Sequence, residues 1–149
     1  MDKKKILIVE DISDCRELLT IFLRRSGYEI IEASTGLEAI EQARATSPDL
    51  VIMDLGLPGI NGDEATARLK ADPITRDIPV IINTAFHKGA IVEHALAAGA
   101  AEILQKPIGF KTLLEAVRRY LPPVDVDASH APRNPRPIQS ADTNTVTPS

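Results

Sequence analysis

Asp54 ends the apolar run Leu50-Val51-Ile52-Met53 and is followed at once by Leu-Gly-Leu-Pro-Gly-Ile-Asn-Gly. A short run rich in branched apolar residues has the pattern of a buried parallel strand. Gly56, Pro58, Gly59 and Gly62 then mark a tight loop. A carboxylate therefore stands where a buried strand ends and a loop opens, the edge at which open α/β sheets bind ligands. There it can cap the following turn, ligate a metal or act as a nucleophile. Three other apolar runs also end in groups able to do chemistry. Lys5-Ile6-Leu7-Ile8-Val9 leads into Glu10-Asp11, and Ile78-Pro79-Val80-Ile81-Ile82 leads into Asn83-Thr84-Ala85. The weaker run Ala101-Glu102-Ile103-Leu104-Gln105 leads into Lys106-Pro107.

The elements that must position these groups alternate. Segments of helical period separate the runs, and each strand–helix–strand unit implies a right-handed crossover between parallel strands. The C-terminal ends of the strands then lie together, and three acids, a hydroxyl and an amine converge on one edge. Five βα units are predicted. Ser13 is a candidate N-cap for a first helix to Ser26, with Leu18, Leu19, Phe22 and Leu23 inward and Gly27 as its stop. Tyr28 to Glu32 reads as strand 2. Thr35 and Glu38 have capping-box spacing and open a second helix that ends before Pro48. A third helix is predicted from Gly62 to Ala71 and a fourth from Lys88 to Ala98, with Gly99 as terminator. A fifth runs from Phe110 to Leu121, with Leu113, Leu114, Val117 and Leu121 inward and Pro122-Pro123 beyond it.

The set Glu10-Asp11, Asp54, Thr84 and Lys106-Pro107 resembles the receiver domain of two-component response regulators, over residues 4 to 121. Thirty residues separate Asp54 from Thr84 and 22 separate Thr84 from Lys106, similar to the single-domain chemotaxis regulator. The resemblance implies an α/β fold, a doubly wound five-stranded parallel sheet in the flavodoxin-like order 2-1-3-4-5. It implies a phosphoryl-accepting signalling domain rather than an enzyme, supplied by a histidine kinase or phosphotransfer protein. Its altered face, helix 4, strand 5 and helix 5, would then meet a downstream protein.

The residue types suit that chemistry. Asp54 is the candidate nucleophile for a phosphoryl group. Asp11 and Asp54 offer carboxylates to Mg²⁺, a cation that takes oxygen ligands and keeps several waters. The resemblance adds the backbone carbonyl of Gly56 as a ligand and Glu10 through a metal-bound water. Lys106 brings positive charge to phosphoryl oxygens, and Thr84 offers them a hydroxyl. Few X-Pro bonds are cis, so Lys106-Pro107 by itself reads as trans. The resemblance implies a cis bond that aims the lysine at the site.

Three positions depart from the family pattern. Ile103 stands where an aromatic residue usually swings inward, and Asn83 where an apolar strand residue is usual. Phe86, two after Thr84, is apolar where side chains often handle the attacking water. With Gly56 two after Asp54, this predicts slow loss of the phosphoryl group, since neither side chain can orient a water. Three rival functions fit less well. A dehalogenase-type phosphatase needs a second aspartate at the position of Gly56. A flavin mononucleotide carrier needs a phosphate loop where Glu10-Asp11 would repel the ligand unless a metal intervened. Binding modules that no longer use phosphorylation usually lose the acceptor aspartate or the lysine, and this chain keeps both.

Composition sets the remaining expectations. The 149 residues suit one domain and 44% apolar content supports one core. Net charge is −4, which argues against direct nucleic-acid binding. Lys3-Lys4-Lys5 is too short for a basic tract and reads as a solvated lead into strand 1. The single cysteine, Cys15, fits a reducing cytoplasm and is expected to be partly buried. No apolar stretch reaches the length of a membrane span and no signal peptide is visible. Residues 122 to 149 hold six of the eleven prolines and no aromatic or leucine. Such a stretch cannot bury enough apolar surface to offset its ordering entropy, so a receiver domain over residues 1–121 and a disordered tail over 122–149 are predicted.

Overall fold

The apolar runs form the middle of a sheet. The computed structural model describes residues 3–85 and 89–122. In chain order the elements are β1 (Lys5–Val9), α1 (Ser13–Arg25), β2 (Glu29–Ala33), α2 (Gly36–Thr46) and β3 (Leu50–Asp54). They continue with α3 (Gly62–Ala71), β4 (Val80–Thr84), α4 (Ala90–Ala97), β5 (Glu102–Gln105) and α5 (Phe110–Tyr120). All strand pairs are parallel, in the expected order β2-β1-β3-β4-β5.

Because side chains alternate across a strand, each buried strand feeds two cores. Leu7, Val9, Val51, Met53, Val80 and Ile82 pack with Ala39 and Ala43 of α2, Ala65 and Leu69 of α3, and Ala95 of α4. Ile6, Ile8, Leu50, Ile52, Ile81 and Leu104 pack with Leu23 of α1 and Leu113, Ala116 and Val117 of α5. Each fully buried aliphatic side chain contributes about 1.5–3 kcal/mol. β1, β3 and β4 supply most of them, and these three strands also end at the candidate site.

Several helix ends follow the local signals. α1 closes in a Schellman turn, with Gly27 N–H donating to Arg24 O, Tyr28 N–H donating to Leu23 O, and Gly27 at φ 102°. At α2, Glu38 N–H donates to Thr35 Oγ1 (3.0 Å), while the Glu38 carboxylate reaches back to Ser34 N–H (2.8 Å). The reciprocal box thus closes one residue earlier than its usual form. α3 has the bounds its sequence predicts.

Other expectations are corrected. Ser13 is the first helical residue, not the N-cap; Ile12 holds that position without a side-chain cap. Ile12 N–H already donates to the Glu10 carboxylate (3.3 Å), so a group before the helix serves that end. Leu18 is 58% exposed. It lies five residues before Leu23, and at about 100° per residue this turns it roughly 140° away from the core. Thr20 takes a buried place instead. Cys15 is exposed rather than partly buried. β4 starts at Val80 because Pro79 has no N–H to give the ladder, and it runs on through Asn83 and Thr84. β2 and β5 begin one residue later than predicted and α4 is shorter. Phe86, on which the predicted slow loss of the phosphoryl group partly rests, and Lys88, predicted to open α4, lie outside the described residues. So does the predicted tail beyond Pro122.

Candidate functional site

The site is the C-terminal edge of β1, β3, β4 and β5. Asp54 is the last residue of β3 and is 8% exposed. Its place depends on a close approach from α3. A Cβ on Gly62 would lie 2.3 Å from the Asp54 carbonyl oxygen, and Gly62 N–H donates to Leu55 O (2.8 Å). The glycine that the sequence marks as the end of the loop and the start of the third helix is thus also required for that helix to pack behind the carboxylate. No local signal marks this, because the approach is between segments folded back on each other.

Lys106 follows β5 and joins the acids across three strands. Its ammonium lies 3.1 Å from Asp54 Oδ1 and 3.3 Å from Glu10 Oε1. The Lys106-Pro107 bond is cis, as the resemblance implied. Thr84 ends β4 and is buried, and its carbonyl accepts from Lys106 N–H (2.7 Å). Glu10 is 3% exposed, while Asp11 beside it is exposed. Arg16, which the sequence reading passed over, donates to the Glu10 carbonyl (2.6 Å) and pairs with Glu32 (2.9 Å), fixing the turn that carries both acids. An arginine two residues into a predicted helix gives no sign that it reaches back.

The charges are mutually tuned. Burial, then the charge of Asp54, pushes the Glu10 carboxyl above its ordinary range, against the opposing effects of the Ile12 amide and Lys106. Burial pulls Lys106 down. Its hydrogen bond to Asp54 and the charges of Asp54 and Glu10 outweigh this and hold the ammonium above its usual range. The lysine therefore remains a fixed cation at neutral pH, whereas clustering the acids is costly.

That cost suggests what the acids are for. Ligand oxygens of Glu10, Asp11 and Asp54 all lie within 4.8 Å of one another. An all-oxygen, anionic donor set at an edge partly open to water fits Mg²⁺, which takes few protein ligands and keeps waters. Gly56 is exposed, two residues after Asp54, and its N–H lies 3.4 Å from Asp54 Oδ1. The arrangement brings the side chains of Glu10, Asp11, Asp54 and Lys106 together, with the Gly56 amide beside Asp54 and the Thr84 backbone carbonyl bonded to Lys106 N–H.

The sequence matches the response regulator receiver domain over residues 6–118. The chain belongs to that family. It is 39% identical over 118 residues to the polar-differentiation response regulator DivK of Brucella ovis, covering 79% of this chain and 96% of that protein. Among solved structures, the receiver domain of the sensor histidine kinase PA1611 from Pseudomonas aeruginosa is similar (29% identity, TM-score 0.75; 80% of this chain, 98% of that one). That structure has a magnesium ion coordinated in its active-site cleft. Chemotaxis protein CheY4 of Vibrio cholerae is also similar (27% identity, TM-score 0.76; 80% of this chain, 99% of that one). This receiver domain thus serves phosphoryl-accepting two-component signalling, in which such domains interact with histidine kinases or phosphotransfer proteins. Among the described residues no helix is long and apolar enough to cross a membrane.

Proposed function

We propose that Asp54 is the phosphoryl acceptor and that the chain acts as a cytoplasmic, single-domain response regulator rather than an enzyme on a separate substrate. The observation that carries this is Lys106 held 3.1 Å from Asp54 within the acid cluster. The Asp54 carboxylate attacks the phosphorus of a donor phosphohistidine; a P–O bond forms and the P–N bond breaks, its electrons staying on the imidazole. Lys106 turns its charge onto the phosphoryl oxygens as they arrive, and the Thr84 hydroxyl donates to them. Glu10, Asp11, Asp54 and the Gly56 carbonyl would hold Mg²⁺, which when bound neutralises charge between the two anions.

The partner face is read as α4, β5 and α5. Ile91 and Leu96 of α4 are 46% and 49% exposed, and Ile103 of β5 is half-buried. On composition alone, the folded unit is taken as residues 1–121, with 122–149 adding no stability to it. The slightly acidic balance supports protein partners over direct nucleic-acid binding.

The test is phosphorylation by acetyl phosphate with Mg²⁺. One phosphoryl group per chain is expected on the native protein, with none on Asp54→Asn or after EDTA. Equal labelling of Asp54→Asn would refute the assignment.

A further inference from the structure

Arg16 lies one turn into α1, and its N–H donates to Ile12 O (2.9 Å) within the helix. Helical side chains lean toward the N-terminus of their helix, so a long one can reach the turn that precedes it. The Arg16 guanidinium does so. One of its terminal nitrogens donates to the Glu10 carbonyl (2.6 Å), and its Nε–H donates to the Glu32 carboxylate (2.9 Å) near the end of β2. Its side chain is 20% exposed, although it carries a full charge. The guanidinium is planar and presents its donors in a fixed fork, so the two bonds together tie the Glu10 peptide to β2 in one orientation.

The peptide held in this way is the one that leads into Asp11. The Glu10 carbonyl and the Asp11 N–H and Cα share one plane, so a bond to that carbonyl sets the direction from which Asp11 departs. Glu10 has further restraints: its carboxylate accepts from Ile12 N–H (3.3 Å) and lies 3.3 Å from the Lys106 ammonium. Asp11 is exposed, so packing does little to fix it and its placement is inherited from the backbone. Charge gives no reason for an arginine here. A cation beside the acid cluster repels a divalent cation. Position gives the reason that charge does not.

We propose that Arg16 is a positioning residue for the binding of a divalent cation. By holding the Glu10 carbonyl against β2 it keeps the Asp11 carboxylate where it meets those of Glu10 and Asp54. This rests on the reading of the three acids as the Mg²⁺ site. Groups that orient metal ligands without touching the metal commonly change its affinity by an order of magnitude or more.

Arg16→Met keeps an unbranched, helix-forming side chain and removes the guanidinium. Titrated calorimetrically with MgCl₂, the unphosphorylated variant is expected to bind with a Kd about tenfold higher than the native protein. Charge alone predicts the opposite sign, since losing a cation beside acids tightens Mg²⁺ binding. A Kd equal to the native one, or lower, would therefore overturn the proposal. That includes the case in which Arg16→Met lowers the unfolding midpoint but binds MgCl₂ as the native protein does, which would make Arg16 merely structural. A second measurement needs no variant. In the unaltered protein, followed by nuclear magnetic resonance, MgCl₂ should shift the Arg16 Nε–H signal along the same saturation curve as the Asp11 backbone N–H. An Arg16 signal unmoved at saturation would also overturn the proposal. Asp11→Asn is run alongside. If it binds MgCl₂ as tightly as the native protein, the reading of the acids as the cation site has failed. Weakened binding in Asp11→Asn with a native Kd in Arg16→Met overturns only the role of Arg16.

Discussion

The β1–β3 centre of this domain and its α4–β5 flank are built to different standards. All five residues of β3 are buried, whereas β5 buries only Leu104 among its four. α3 buries Gly62, Ala65, Thr66 and Leu69 against the sheet, whereas α4 buries Ala95 alone. His94 of α4 is hydrogen-bonded to Asp63 of α3, a polar tie across a groove also lined by Leu55, Gly56 and Ile91. Elements with little buried area open at low free-energy cost. The acids of the candidate site therefore stand on the well-packed side, and Lys106, just after β5, reaches them from the lightly packed flank. On the proposed function, that contrast would separate a site that holds its geometry from a surface that reports on it.

The strongest way to break the comparison is to cut the link between its halves. Lys106→Met is expected to slow phosphorylation by acetyl phosphate roughly 10²–10³-fold, the range for losing one preorganised charge-stabilising group. A rate near native would mean that the flank does not reach the acceptor.

The packing difference is tested next by paired truncations in urea unfolding. Ile52→Ala, at a fully buried position of β3, should cost about 3 kcal/mol. Ile103→Ala, half-buried on β5, should cost about 1 kcal/mol by its smaller loss of buried area. Equal losses would erase the distinction.

A third test concerns the acids in the centre. The Glu10 carboxyl is raised above its ordinary value by burial and by Asp54. For an acid raised by folding, the native state holds its proton longer than the unfolded chain, so stability falls as pH rises from the unfolded value through the folded one. Glu10→Gln should therefore unfold at a higher temperature than the native protein at pH 7 in EDTA. The gain should vanish near pH 4, below the ordinary glutamate value of 4.5. A gain that persists in acid would assign it to something other than charge. The smallest effect is expected where the flank ends. Leu121 is 4% exposed and closes the α5 side of the core, so truncation after Pro123 should leave the unfolding midpoint nearly unchanged.

Much of this was determined by the sequence. Apolar runs ending in Glu10-Asp11, Asp54, Thr84 and Lys106 specify buried parallel strands and the edge where their chemistry meets, because strand burial and crossover handedness are local rules. Thr35–Glu38 and Gly27 specify helix ends for the same reason. The tertiary structure alone decided three things. It put Gly62 against the back of Asp54, turned Arg16 onto the Glu10 carbonyl, and left the buried side-chain oxygen of Asn83, opposite Asp54 in the strand register, without a partner among the described residues. Each depends on how the chain folds back on itself in space, over six residues for Arg16, eight for Gly62 and between strands for Asn83, which neither composition nor periodicity encodes. Leu18 makes the same point from the other side: an apolar residue at plausible spacing was still turned to solvent, because the packed sheet, and not the helix itself, decides which face is inside.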